Sequence, residues 1–334
     1  MSHHFTVHDI AKMAGVSAMT VSRALNHPEQ VSPATLEKVM VVVRSTGFVP
    51  NGMAGGLRSS KARLVAAVLP TLTGPVFQET IQALNQALDA QGYQLMVGQS
   101  GYDSAREDVL LDAIIRRRPD GIVLTGIMRS LAGRKQLLTS GIQVVETWDL
   151  TPTPIDMLVG FSNENIGAEV CAFLHQRGYR RPALICGDDE RARRRNTGFQ
   201  RMARTLGLTQ EGQDVPLVLT PPPTTLGAGR SGLAELLARP EGIDAVFCSS
   251  DMLALGVLIE AQARGLAVPG QLAIVGLGDL GLAASLHPAL TTVRIDGTRI
   301  GQTAAQYIVD RADGRPIAEP ILDIGFSIVA RQTA

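Results

Sequence analysis

The chain has 334 residues, 45% hydrophobic and 19% charged, with 31 basic and 31 acidic side chains and no net charge. That length exceeds what one core organises and predicts two or three domains, and the composition excludes a disordered chain. The charge is unevenly spread. Residues 1–63 carry seven Lys/Arg against three acids, so a head of +4 sits on a body of −4, the asymmetry of a nucleic-acid-binding module joined to something else.

The head reads as short helices. Thr6, with Asp9 three residues on, has capping-box spacing and predicts a helix over 7–14. Gly15-Val16 makes a tight turn, Ser17 caps a second helix through Leu25, and Asn26-His27-Pro28 breaks it. Ser32-Pro33 starts a third helix with the apolar stripe Leu36, Val39, Met40 and Val43, which Gly47 ends. Residues 9–26 thus form a helix-turn-helix. Ile10, Ala11, Val16 and Val21 can pack inside, and Ala11 and Gly15 are small where two helices meet. Ser17, Ala18, Met19, Thr20, Ser22, Arg23 and Asn26 face outward, a surface suited to a major groove. An ordinary helical hairpin is the competing reading, but it leaves the polar face and the basic surroundings without a purpose. Residues 50–63 change character: Gly55 and Gly56 weaken helix formation by about 1 kcal/mol each, so this segment reads as a linker that folds when something supports it.

From Leu64 the pattern alternates. Apolar runs at 64–69, 93–98, 120–124, 142–146, 182–186, 244–248 and 272–276 read as buried parallel strands. Helical stretches near 77–91, 104–117, 131–140, 163–176, 194–206, 229–238 and 251–264 separate them. That is a doubly wound α/β series, long enough for two similar subdomains with a ligand cleft between them, beyond the carboxyl ends of the strands.

Several rival classes find little support. Gly276-Leu277-Gly278-Asp279-Leu280-Gly281 satisfies a dinucleotide fingerprint, but His287-Pro288 follows too soon for a crossover helix. There is no phosphate loop, nucleophile elbow or zinc-protease motif, so no enzyme, cofactor or metal site is expected. Cys171, Cys186 and Cys248 are widely spaced and read as idle thiols in a reducing compartment. The N-terminus has no apolar signal segment, and no run approaches the roughly 20 residues of a membrane span. A cytoplasmic protein without a membrane partner is therefore expected, rather than a secreted sugar-binding protein.

Residues 9–26, Val31-Ser32, Phe48-Val49-Pro50-Asn51, Ala54 and Leu57 resemble the lactose/galactose repressor (LacI/GalR) family of bacterial regulators. So do Asp120-Gly121-Ile122-Val123-Leu124, Arg177-Gly178-Tyr179, Asp251 to Gly256 and Val268-Pro269 in the body. Met19 to Arg23, Pro28 to Ser32, Leu69 to Thr73, Val159-Gly160-Phe161 and Asp189-Glu190-Arg191 resemble in particular its gluconate-utilisation repressors. The resemblance implies a small all-α helix-turn-helix head on an α/β core of two doubly wound parallel-sheet subdomains of periplasmic-binding-protein type. Its implied boundaries are a DNA-binding domain over 1–49, a hinge helix and linker over 50–63, and an effector and dimerisation core over 64–334. Within that core the first subdomain spans about 64–161 and 292–322, and the second about 162–291 and 323–334.

The resemblance also implies roles. Thr6, Ser17, Ala18, Met19, Thr20, Ser22, Arg23 and Asn26 would read double-stranded operator DNA, with Asn51, Ala54 and the minor-groove wedge Leu57 in the hinge. The apolar Ala18 and Met19 favour thymine methyls. Phe77, Gln99, Asp149, Phe161, Arg191, Arg195 and Asp279 would bind the effector, a sugar acid whose carboxylate meets an arginine fork from Arg191 and Arg195. Arg191 to Arg195 read equally as a solvated run. Trp148, the sole tryptophan, reads either as a cleft residue or as packing. The expected protein is a homodimeric repressor released by gluconate, with ketogluconate, a phosphorylated sugar acid or another carbohydrate as alternatives. A sugar binder without a DNA role is the remote one. Corepression stays open beside induction, and a tetramer built by a leucine-heptad tail is not expected.

Overall fold

The computed structural model describes residues 5–48, 62–209 and 212–334, with the backbone alone at Asn26. These fall into two compact units, Met1–Ala62 and Arg63–Ala334. The expected hinge positions Asn51, Ala54 and Leu57 lie outside the described residues.

In the first unit, helices α1 (Val7–Ala14), α2 (Ala18–Asn26) and α3 (Pro33–Thr46) follow the caps read from the sequence. The Thr6 hydroxyl accepts the Asp9 N–H at 3.3 Å and the Asp9 carboxylate accepts the Thr6 N–H at 2.8 Å, a complete capping box. Gly15 ends α1 at φ 65°, a conformation that a Cβ disfavours. Ile10, Ala11, Val21, Ala24 and Val39 form the buried centre, with Val16 half-buried at its margin.

The second unit contains two six-stranded sheets. The first contains β1 (Leu64–Leu69), β2 (Gln94–Gln99), β3 (Gly121–Thr125), β4 (Gln143–Thr147), β5 (Met157–Gly160) and β11 (Ile321–Asp323), in the order β11-β5-β4-β3-β1-β2. The second contains β6 (Pro182–Gly187), β7 (Leu217–Thr220), β8 (Ala245–Cys248), β9 (Ala273–Leu277), β10 (Thr291–Arg294) and β12 (Ser327–Val329), in the order β12-β10-β9-β8-β6-β7. All pairs are parallel except β10 with β12. The helices are α4 (Gln78–Asp89), α5 (Ser104–Ile115), α6 (Leu131–Ser140), α7 (Asn163–Gln176), α8 (Glu190–Thr205), α9 (Leu226–Leu237), α10 (Asp251–Ala263) and α11 (Gly297–Ala312).

Three differences from the sequence reading matter. The short strands β5, β7, β10, β11 and β12 and helix α11 were not anticipated, because runs of three or four residues have no readable period. The chain leaves the second sheet after Arg294, not at 292, since Thr291–Val293 pairs with Val275–Leu277. It leaves the first sheet after Asp323, which pairs with Gly160, not after 322. Helix α8 begins at Glu190, not 194, because the Asp189 carboxylate accepts the N–H groups of Arg191 and Ala192 and caps it early.

The central strands are apolar end to end because both faces are covered, as in β1 and β6, while the edge strand β2 is half exposed. After β9 comes a turn and a 3-10 segment at Ala283–Ser285 rather than a helix, so the dinucleotide fingerprint lacks its helix. Among the described residues no helix is long and apolar enough to cross a membrane, and no group of His, Cys, Asp and Glu could hold a metal ion. The three cysteines are buried and unbridged, and burial pushes the Cys171 and Cys186 thiols up to about 12.

Candidate functional site

The head offers one surface. The Ser17 hydroxyl accepts the Thr20 N–H at 3.1 Å and lies 2.9 Å from the Thr20 hydroxyl, fixing the first turn of α2. Ser17, Met19, Ser22 and Arg23 are exposed along this helix, and Met19 is 47% exposed. Ala18 and Thr20 are half-buried, and Ala18 packs against the three-helix centre. Its methyl is thus less available than the sequence pattern implied, because the first turn leans on the neighbouring helices. Thr6 is exposed at the start of α1, with its hydroxyl engaged by Asp9 at 2.7 Å.

The second unit has a cleft between its two subdomains, enclosing about 730 Å³ of empty space with its mouth included. That is the size class of a small-molecule site. Loops at the carboxyl ends of strands in both sheets line it: Thr71 and Gly74–Phe77 after β1, Trp148 after β4, Phe161 after β5, Asp189–Arg195 after β6, Ser249–Met252 after β8, and Leu277 and Leu280 at the end of β9. Phe77 and Trp148 meet edge to face at 4.9 Å between ring centres, and Trp148 and Phe161 at 5.7 Å. This aromatic wall supplies the flat apolar surface on which the C–H faces of a sugar pack.

Polar groups converge on the other walls. Arg191 lies with its guanidinium carbon 5.1 Å from the centre of the Phe77 ring, 3.8 Å from the Asp189 carboxylate, and donates to the Thr125 carbonyl at 3.4 Å. Arg195 is 6% exposed and donates to the Asn163 side-chain oxygen. Burial pulls its pKa down, opposed chiefly by the Asp189 charge. Asp251, 1% exposed, accepts the Thr292 hydroxyl at 2.5 Å and the Leu280 N–H at 2.8 Å. Burial raises its pKa against those two hydrogen bonds.

Four of the seven expected effector residues, Phe77, Phe161, Arg191 and Arg195, line this cleft. The other three do not. Gln99 ends the edge strand β2 and lines a shallow surface groove with Arg106, Val109 and Leu110. Asp149 is turned into the protein, where it accepts the Leu150 N–H at 3.0 Å and the Asn163 amide at 3.1 Å and pairs with Arg194 at 3.2 Å. Asp279 sits at φ 48° and is held by Arg331 at 2.6 Å, a residue brought in from beyond β12. The acid in the cleft is instead Asp251, which the sequence reading missed. Its position directly after the apolar run 244–248, at a strand's carboxyl end, was the available signal.

A helix-turn-helix head on a two-subdomain α/β body with a ligand cleft defines a ligand-responsive transcriptional regulator. Residues 6–51 match the family model "Bacterial regulatory proteins, lacI family", and residues 171–334 match a periplasmic binding protein-like domain. The chain is 33% identical over 329 residues to the HTH-type transcriptional regulator GntR of Pseudomonas aeruginosa, covering 98% of this chain and 95% of that one. Among solved structures it is similar to a LacI-family transcriptional regulator of Silicibacter pomeroyi, with 31% identity, a TM-score of 0.91 and coverage of 98% and 99%. It also shares its fold with the lac repressor dimer bound to operator and an anti-inducer, at 21% identity, a TM-score of 0.82 and 99% coverage of both chains. The chain belongs to the LacI family of DNA-binding transcriptional regulators, and it is not an enzyme.

Proposed function

We propose that this regulator is a cytoplasmic repressor of sugar-acid catabolism, released from its operator by gluconate. The observation that carries the reading is the buried Arg195 in a cleft walled by Phe77, Trp148 and Phe161. A cation and aromatic faces in one small space suit a compact polyhydroxy acid. The resemblance to gluconate-utilisation repressors and the similarity to the GntR regulator of Pseudomonas aeruginosa point the same way.

In this reading the head over 1–49 places Ser17, Met19, Thr20, Ser22, Arg23 and Asn26 in the major groove of a half-site, with Ala18 at its margin and Thr6 on the backbone. The segment 50–63 carries Asn51, Ala54 and Leu57 to the minor groove. The core over 64–334 pairs with a second copy, as in the lac repressor dimer, so a pseudo-palindromic operator is held at two half-sites. Effector binding shifts the two subdomains, and a tenfold loss of operator affinity requires about 1.4 kcal/mol of coupling.

The test is fluorescence anisotropy on a pseudo-palindrome from the gene's own neighbourhood, titrated with gluconate, ketogluconate, 6-phosphogluconate and glucose. Release by gluconate alone supports the whole reading. Release by another compound keeps the repressor and removes gluconate. Tighter binding with an effector makes the protein a corepressed regulator.

A further inference from the structure

The arginine run on α8 is not uniform. Arg191 has Asp189 at 3.8 Å, Arg193 has Asp188 at 2.7 Å, and Arg194 has Asp149 at 3.2 Å. Arg195 is the most buried of the four, yet among the described residues it makes no ion pair, and its Nε–H has no hydrogen-bond acceptor. A buried guanidinium without an anion is costly, and so is a buried N–H without an acceptor. A second orphan stands in the same cleft. Trp148 is 4% exposed, and its indole Nε1–H also lacks an acceptor.

One side chain ties the two together. Asn163, 1% exposed at the start of α7, donates from its amide nitrogen to the Trp148 carbonyl at 3.1 Å and accepts Arg195 Nη1–H on its amide oxygen. Its nitrogen also reaches the Asp149 carboxylate at 3.1 Å. Trp148 itself is held at φ 67°, a region a side-chain-bearing residue seldom occupies. Its ring is braced by Phe77 and Phe161. The indole and the guanidinium are therefore held in place before any ligand arrives, which lowers the entropy a ligand must overcome.

We infer that Trp148 Nε1–H and Arg195 Nε–H form one subsite, positioned by Asn163, that takes the carboxylate of a small polyhydroxy acid. Two N–H donors, one of them cationic, match the two oxygens of a carboxylate. Arg191 is excluded from this role because Asp189, Thr125 and the Phe77 face already engage it. The arginine fork expected from the sequence is thus replaced by an indole and a single guanidinium. The inference rests on the sugar-acid reading and sharpens it: the acid end of the ligand is fixed, and a neutral polyol of the same length lacks the anchoring group.

Trp148 is the chain's one tryptophan, so the indole N–H gives a single resonance in a nitrogen-edited proton spectrum. The full chain would be titrated with gluconate, 2-ketogluconate and glucitol, following that resonance, and calorimetry would compare Trp148→Phe with the natural protein. The expected result is a downfield shift of the indole proton with the acid and none with glucitol. Trp148→Phe is expected to lower acid affinity about tenfold, the effect of one charge-assisted hydrogen bond. Gluconate binding the natural protein and the variant equally, without an indole shift, would overturn the subsite and leave the sugar-acid reading standing. Binding of glucitol but of neither acid would overturn both. The indole shift and the tenfold loss with 2-ketogluconate alone would support the subsite and remove gluconate. Because the resonance is read on the natural protein, the test holds even if the variant folds poorly.

Discussion

The guanidinium of Arg194, on the second subdomain, lies 3.2 Å from the carboxylate of Asp149 on the first. Arg194 also donates to the Leu150 carbonyl at 3.0 Å, and Arg129 meets Glu190 at 3.0 Å across the same gap. Cationic and anionic groups of α8 thereby tie the two sheets together beside the cleft. Any ligand that moves the subdomains works against or with these ties.

The two ties differ in strength. Asp149 is 2% exposed, whereas Arg129 and Glu190 are both nearly half exposed. Arg194→Met leaves Asp149 with neutral donors only and is expected to destabilise the core by about 1–3 kcal/mol. Arg129→Ala is expected to cost less than about 1 kcal/mol. Urea denaturation of both variants checks the contrast, and equal losses would contradict it.

Head and core form separate compact units, so they are expected to fail separately. Val21 is fully buried in the head. Val21→Asp places a charge there and is expected to abolish operator binding while effector binding by the core persists. Arg23→Ala, at an exposed position, is expected to weaken operator binding about tenfold or more with the head still folded. Anisotropy and calorimetry on the same preparations separate the two outcomes.

Helices α7 and α8 meet through two glycines. A Cβ on Gly167 would overlap the Arg195 carbonyl, and one on Gly198 would overlap the Glu164 carbonyl. Gly167→Ala therefore pushes apart the two helices that carry Asn163 and Arg195. The expected cost is about 1–3 kcal/mol of stability, together with a loss of effector affinity. A variant with a lowered melting temperature and unchanged affinity would detach the helix contact from the site.

Glu146 is fully buried, with its carboxylate oxygens accepting the Met128 and Ile155 N–H groups at 2.8 Å each. Burial raises its pKa above the ordinary 4.5, opposed by those hydrogen bonds. The folded protein then holds this proton more tightly than the unfolded chain does. Its contribution to stability is full below pH 4.5 and is lost as the pH rises through the folded value. Glu146→Gln removes that titration and turns an amide N–H₂ toward a backbone N–H. The natural protein is expected to be more stable than Glu146→Gln by about 1–3 kcal/mol at pH 4.5, with the gap narrowing toward pH 8. Melting curves across that range test it, and a gap that widens with pH would contradict the assignment.

The sequence by itself determined what is local. Thr6, Asp9, Ser17, Ser32 and Gly47 cap their own helices through neighbours three or four residues away, so the head was legible from spacing alone. The long apolar runs fixed the central strands for the same reason, since burial on both faces leaves a continuous pattern. Tertiary structure decided the rest. Gln99 fell on an edge strand because of sheet order. Asp279 was turned aside by Arg331, 52 residues further on. Asp149 was claimed by Arg194, and Arg195 was left without an anion although its three neighbours in the run have one. Which charge is neutralised depends on which other chain segment arrives beside it, and Coulomb energy falls with distance in space, not along the chain.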